Sequence, residues 1–305
     1  MLAKVSIGEL IIGYCYDFLH KYVSNMDYSR RKLNNREYVV YKLTPEVKKE
    51  FMRYLYRKLK EIIIKHCEIG EVLLSESQKS IQLLMSDSKP LWYRIGLALS
   101  DGSPLNLSSI MFTTSTSHTI NAILRGFNNA KIYIAKYMVS KKTGKYICAF
   151  NIVVHDPKVA DALWRIKRGS EVGNASAILK RNKDYLAQFL AGVIDGDGTI
   201  DRDNVRICVS LNDSLYSVIN EIFAGKIRYG ERKFMIRLST KTLRELGIID
   251  CILQYVVAGH KRVKLRRLLE KRTKFEPELD KHINKQLALV ANYLSINELK
   301  NSVCI

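Results

Sequence analysis

Apolar positions along this chain recur with two periods, and each period predicts an element. Residues 186–194 have almost no polar face, so the helix they form must be packed on all sides. Ala191 and Gly192 are small enough to admit another backbone, and Gly196 and Gly198 stop the helix. After it, residues 199–200 and 205–210 alternate as two strands around a turn at 201–204. Asn212, Asp213 and Ser214 cap a helix carrying Leu215, Val218, Ile219, Ile222 and Phe223 at helical spacing, and Gly225 ends it. Residues 227–229 and 234–238 are two more strands across Gly230, and 240–247 a further helix. The order is αββαββα.

The same order is read upstream. Residues 92–101 form an apolar helix that stops at Gly102, and 107–116 are strand-like and rich in Ser and Thr. Residues 117–127 are helical, with Ile120, Ile123 and Leu124 apolar. Residues 132–139 and 146–154 form a hairpin across 141–145. Asp156-Pro157 starts a helix through Ala160, Leu163 and Ile166. Two units of one order imply an internal repeat: residues 87–170 and 185–275, joined by a Gly-, Ser-, Asn- and Lys-rich linker at 171–184.

Residues 1–86 are expected to be a separate, mainly helical region of unknown role. Their main signal is a helix start at Thr44-Pro45-Glu46 followed by Val47, Phe51, Tyr54, Leu55, Leu59 and Ile62 on one face, beside a short strand at 38–41. Residues 276–305 are expected to be a helical tail, with Ile283, Leu287, Val290 and Leu294 as its stripe. The fold class is α+β.

The nine residues Leu190-Ala191-Gly192-Val193-Ile194-Asp195-Gly196-Asp197-Gly198 carry the chemistry. Two carboxylates stand at the negative pole of a helix, where a divalent cation would relieve their cost. Seven of the nine letters match the motif that names the LAGLIDADG family of homing endonucleases, which this chain resembles. A weaker copy occupies residues 92–103, in which Gly96 aligns with Gly192, and Asp101 precedes Asp197 by 96 residues. The resemblance spans about residues 90–270.

That resemblance implies a fold of two pseudo-symmetric repeats forming a saddle over DNA, with the motif helices as their interface. It implies Mg²⁺ as cofactor, with Mn²⁺ as a substitute. Asp101 and Asp197 would be the catalytic metal ligands, joined by the carbonyls of Ser100 and Gly196. It places basic residues near the scissile phosphates: Lys261 and Lys264 in the second repeat, Lys180 or Lys167 in the first. Leu99 stands where the second copy has Asp195, so Asp195 is read as structural. The chemistry is coherent. Phosphodiester hydrolysis needs an activated water and charge neutralisation on the leaving oxygen, which divalent ions supply. Magnesium takes oxygen ligands and keeps several waters, so few carboxylates suffice.

Alternation also sorts the sheet faces. Val205, Ile207 and Val209 form an apolar side, leaving Arg206, Cys208 and Ser210 opposite. The other outward residues are Arg228, Lys233 and Arg237, and in the first repeat Lys131, Tyr133, Tyr137, Lys145 and Asn151. Such side chains suit phosphates and base edges in a major groove that admits a two-stranded ribbon.

Charge strengthens the expectation. Lys and Arg number 50 against 30 acids, a net charge of +20 that suits a polyanion. Residues 259–274 are the densest run, with Lys261, Arg262, Lys264, Arg266, Arg267, Lys271, Arg272 and Lys274 against Glu270 alone. No apolar run approaches the roughly 20 residues of a membrane span. Glu9 interrupts the apolar N-terminus and excludes a signal-peptide layout, so the expected location is intracellular, cytoplasmic or nucleoid-associated. The six cysteines have no metal-type spacing and are read as small buried hydrophobes in a reducing compartment.

The reading is a monomeric, intron-type, site-specific endonuclease acting on double-stranded DNA with a long asymmetric target. The alternative is a non-cleaving nucleic-acid-binding protein on the same scaffold, an intron RNA maturase or a transcription regulator.

Overall fold

The computed structural model describes residues 6–33, 36–66, 69–201, 204–208, 213–224, 228–229 and 235–269. The C-terminal tail at 276–305 lies outside the described residues. Within them the fold is mixed α and β with antiparallel sheets. The chain begins with α1 (Ile7–Leu19), β1 (Tyr28–Leu33), β2 (Arg36–Tyr41), α2 (Pro45–His66), β3 (Ile69–Leu74) and β4 (Ile81–Met85). The first repeat follows as α3 (Leu91–Asp101), β5 (Gly102–Asn106), β6 (Ser109–Thr114), α4 (Ser117–Gly126), β7 (Asn129–Ser140), β8 (Tyr146–His155) and α5 (Pro157–Lys167). After α6 (Val172–Arg181) come α7 (Lys183–Asp195), β9 (Gly198–Ile200), β10 (Asn204–Cys208), α8 (Ser214–Ile222), β11 (Arg228–Tyr229), β12 (Met235–Ser239) and α9 (Thr240–Glu245), then α10 (Ile249–Tyr255) and α11 (Gly259–Leu269).

The two sheets share a wiring. In the larger sheet the repeat's strands run β7-β8-β6-β5, and in the smaller one β11-β12-β10-β9. The hairpin that opens the first repeat is more complete than the sequence pattern predicts. Strand β5 starts at Gly102, directly after α3, and tolerates Pro104 because it is an edge strand.

Helices α3 and α7 pack against each other at two glycines. A Cβ on Gly96 would sit 2.2 Å from the Phe189 carbonyl oxygen, and one on Gly192 would sit 2.1 Å from that of Tyr93. The apolar residues around these glycines, including Leu97, Phe189 and Val193, are buried in one contiguous core that runs from α1 to α11.

The N-terminal region departs from its expectation as a separate helical unit. Strand β2 pairs with the C-terminal half of β7, and β4 with its N-terminal half, so four N-terminal strands extend the larger sheet. Val39, Val40 and Tyr41 are β-formers whose partners lie about a hundred residues away, a pairing that no local pattern reveals. Helix α1 is capped by a reciprocal box, with the Ser6 N–H donating to Glu9 Oε2 at 2.7 Å and the Glu9 N–H to Ser6 Oγ at 3.3 Å. It packs so closely on α4 that a Cβ on Gly8 would fall 2.0 Å from the Ser117 carbonyl oxygen.

A second correction concerns cysteine. Cys15 in α1 and Cys148 in β8 are disulfide-bonded, with Cα atoms 6.6 Å apart and a sequence separation of 133. Both are fully buried, as expected of small hydrophobes, but they meet across the α1–β8 interface. Cys251 is free, and Cys67 and Cys304 lie outside the described residues. A third correction is the linker at 171–184, which contains helix α6. Val172, Ala175 and Leu179 recur at helical spacing and are buried, and Ser176 Oγ donates to the Val218 carbonyl of α8 at 3.5 Å.

Asp156 closes the first repeat as foreseen. Its side chain caps α5 by accepting from the Val159 N–H at 3.1 Å, and it also forms an ion pair with Arg94 of α3. Asp156→Ala is expected to lower stability by about 1–3 kcal/mol, since it removes a cap and strands a largely buried guanidinium. The midpoint of urea unfolding measures this. No helix among the described residues is long and apolar enough to cross a membrane.

Candidate functional site

The close crossing of α3 and α7 brings the two motif ends together. Gly196 adopts a backbone turn that stops α7 against the last turn of α3. A Cβ there would lie 2.0 Å from Ser100 Oγ and 3.1 Å from Asp101 Oδ2. The Asp101 carboxylate therefore reaches the second motif, one residue before Asp197.

Electrostatics record the same meeting. Burial raises the pKa of Asp197, and the Asp101 charge raises it further, to about 7 against partial relief from Lys261. Burial also raises Asp101, again opposed by Lys261. Two half-buried carboxylates, the charge of one raising the pKa of the other, form an oxygen-rich pair that resists full ionisation without a cation. Among the described residues no three His, Cys, Asp or Glu side chains converge. The pair fits a hard cation that draws its remaining ligands from carbonyls and water, which is the habit of magnesium.

Asp195 has a different environment. It is fully buried, and its carboxylate accepts from the Tyr93 hydroxyl at 2.7 Å and from the N–H groups of Val257 and Ala258 at 2.7 and 3.0 Å. It thus ties α7 to α3 and to the segment before α11, which is a structural task. Lys261 lies beside it, 4% exposed. Its ammonium donates to the carbonyls of Ile194, Asp195 and Gly196 at 2.5, 3.0 and 3.2 Å. A cation on the last carbonyls of α7 neutralises the negative pole of that helix. Desolvation lowers the Lys261 pKa, and Asp195, Asp101 and Asp197 hold it up.

The structure puts Lys167, the alternative to Lys180, at the first motif. Its Nζ donates to the Gly102 carbonyl at 2.8 Å, whereas Lys180 is exposed on α6. Lys264 lies one turn along α11 from Lys261, half-buried, with its charge near His260. Sequence reasoning missed a histidine pair. His118, at the start of α4, and His260 have ring centroids 5.0 Å apart, and burial with the Lys261 charge pushes both pKa values down to about 4. The two are separated by 142 positions in no recognisable spacing, so only the fold could join them.

On the sheets, Tyr133, Asn151 and Thr113 are direct cross-strand partners, with Lys131 two positions along β7 from Tyr133 on the same face. The Thr113 hydroxyl donates to Asn151 Oδ1 at 2.9 Å. Lys145 is exposed in the turn after β7. Tyr137 is corrected: it is fully buried, stacked on Tyr146. A bulge between Ile134 and Lys136 inserts one residue and exchanges the faces of β7, so Lys136 points outward in its place.

On the second sheet Arg206, Arg237 and Arg228 occupy one register row across β10, β12 and β11. Like charges placed directly opposite, as at Arg206 and Arg237, are unfavourable unless an anion lies over them. Arg206 is ion-paired with Asp201, yet its Nε and that of Arg237 are sheltered from solvent without hydrogen-bond partners. Lys233 lies outside the described residues.

A pH-dependent result follows from Asp197. A carboxyl whose pKa is raised on folding contributes stability that is fully present below the unfolded value near 4 and lost as pH climbs through about 7. A cation competes with that proton. The rise in melting temperature on adding Mg²⁺ is expected to be larger at pH 8 than at pH 6, with apparent affinity about tenfold stronger at pH 8. Thermal scans with and without EDTA measure it.

No protein-family model matches this chain, and no curated protein matches it.

Proposed function

We propose that the chain is a site-specific double-strand DNA endonuclease of the LAGLIDADG type, hydrolysing phosphodiesters with Mg²⁺. The observation that carries this is the junction of the two motif ends, with Asp101 against Gly196 and its charge raising Asp197. The matching strand order of the two repeats supports a pseudo-symmetric saddle around that junction. The net charge of +20 and the arginine row support a nucleic-acid partner. The monomeric state, the intron context and the intracellular location are parts of the same proposal, taken from the resemblance.

In this reading Asp101 and Asp197 hold the divalent cation. When bound, the cation activates water and neutralises charge on the leaving oxygen. Lys261 keeps the end of α7 in place by neutralising its carbonyls, and Lys167 does so at Gly102. The sheet residues Lys131, Tyr133, Lys145, Asn151, Arg206 and Arg237 place the duplex, with phosphate contacts setting register and base contacts setting sequence.

One observation favours the second reading, a binding protein that does not cut. The Gly196 carbonyl, expected to help hold the metal, already accepts from the Lys261 ammonium. The deciding experiment is incubation of the full chain with a large randomised duplex library in Mg²⁺. One long cleaved target, absent in EDTA, supports the endonuclease. Recovery of bound but uncut duplex, or of structured RNA, moves the protein to the regulator or maturase reading.

A further inference from the structure

The hairpin β1–β2 has no role in the functional reading so far, and its composition is unusual. Its strands carry Arg30, Arg31, Lys32 and Arg36 against Glu37 as the sole acid. Glu37 is itself committed, since it accepts from Lys141 Nζ at 2.8 Å. The Lys141 N–H donates to the Glu37 carbonyl at 3.0 Å, so the β1–β2 end and the β7–β8 turn lie side by side. That turn adds Lys142 and Lys145, both exposed. The result is a cationic corner built from segments about a hundred residues apart.

Register says which face it presents. Arg31 pairs with Tyr38, Tyr38 with Ser140, and Leu33 with Arg36. Val40 pairs with Met138, which is two positions from Lys136 on the outward side of the bulge. Arg31, Arg36 and Tyr38 therefore share the face of Lys136 and, on the far side of the bulge, of Lys131, Tyr133 and Asn151. The opposite face of the same sheet carries Tyr41 against buried Tyr137 and holds the helices. The corner is thus a lateral extension of the surface assigned to DNA, two strands wide. Strand spacing near 4.8 Å makes that about 10 Å, or about 3 base pairs.

We propose that the β1–β2 hairpin is a phosphate-binding flank that lengthens the DNA footprint on the side of the first repeat. The inference rests on the DNA reading above. Nothing equivalent adjoins β11 among the described residues. Its partner is the sugar–phosphate backbone of duplex DNA outside the core target, held by charge without base reading. Tyr38, half-buried beside the arginines, offers a hydroxyl of the kind that also bonds phosphate oxygens.

The test uses the full chain and a mixed-sequence 40-base-pair duplex as probe. The double variant Arg31→Gln/Arg36→Gln is compared with the wild type and with a charge-matched control, Lys49→Gln/Arg53→Gln on the exposed side of α2. Each lost phosphate contact reduces the slope of log affinity on log salt by about 0.9, so the hairpin variant is expected to lose about 2 from that slope. The control should lose less than 1. On a duplex that the wild type protects, the hydroxyl-radical footprint should shorten by about 3 base pairs at one end and keep the other end. A second variant, Lys142→Gln/Lys145→Gln on the neighbouring turn, should act in the same direction at the same end. Unchanged melting temperatures establish that each variant is folded.

Equal losses in variant and control would reduce the effect to bulk charge and overturn the proposal. So would an unchanged footprint, or a loss seen with structured RNA and not with the duplex. A wild-type chain that binds no duplex at all would overturn the DNA reading itself, and the flank with it.

Discussion

Gly192→Ala is expected to destabilise the protein by about 3–5 kcal/mol, and Gly96→Ala by a similar amount. The added methyl meets backbone rather than a side chain. At Gly192 it would fall 2.1 Å from the Tyr93 carbonyl oxygen and 2.7 Å from the Leu97 nitrogen. At Gly96 it would fall 2.2 Å from the Phe189 carbonyl oxygen. No rotamer change relieves such a contact, so one helix must move away from the other, opening the core around Leu97 and Val193. The same shift would draw Asp101 away from Gly196. Loss of activity is therefore expected even at temperatures where the variant stays folded. Denaturant unfolding gives the stability. The contrast is Gly173→Ala on α6, where a Cβ meets nothing within 4 Å and the change should be neutral or slightly stabilising.

Asp197→Asn is expected to reduce Mg²⁺-dependent cleavage by about a thousandfold or more. Losing an anionic metal ligand forfeits several kcal/mol of transition-state stabilisation, and about 4 kcal/mol is that factor. Asp101→Asn should behave alike. Affinity for the same duplex in Ca²⁺ or EDTA should change little, because the two acids repel phosphates. Stability supplies an independent readout. At pH 8 without metal, Asp197 is above its pKa of about 7 and holds its charge half-buried against the repulsion of Asp101. An amide removes that repulsion, so Asp197→Asn should melt at a higher temperature than the wild type. A functional acid is thus recognised by lost cleavage together with gained stability. A fall in both would mark Asp197 as a structural turn residue and count against the endonuclease.

Much of this centre is legible in the sequence because its signals are local. The glycines, the apolar run and the terminal acids of each motif lie within a dozen residues, and repeat spacing links the two. The helices α4, α5, α7 and α8 fall where apolar periodicity and capping residues put them. What escaped is non-local. The strands β1 and β3 have no informative alternation, β4 becomes intelligible only against β7, and β2, read as a short strand at 38–41, carries no local sign of its pairing with β7. The Cys15–Cys148 bond and the His118–His260 contact each join segments more than a hundred residues apart. The burial of Tyr137 depends on a single bulged residue that resets the alternation, which a period-two reading cannot see. Lys261 was named for its charge. That its ammonium would be spent on three carbonyls of α7 follows from tertiary packing alone.

The pairing of β2 with β7 also sets an order of events on the ribosome. Residues 38–41 find their partners only at 137–140. At synthesis rates of about 5–20 residues per second, β2 waits roughly 5–20 s after it emerges before β7 exists. During that interval the hairpin's Val39, Val40 and Tyr41 form an unsatisfied edge open to other nascent chains. The arginines and lysine beside them repel such encounters and act as gatekeepers against premature association. The first third of this polypeptide is therefore not a detachable module but an early instalment of a sheet that closes late, and its charge protects it until then.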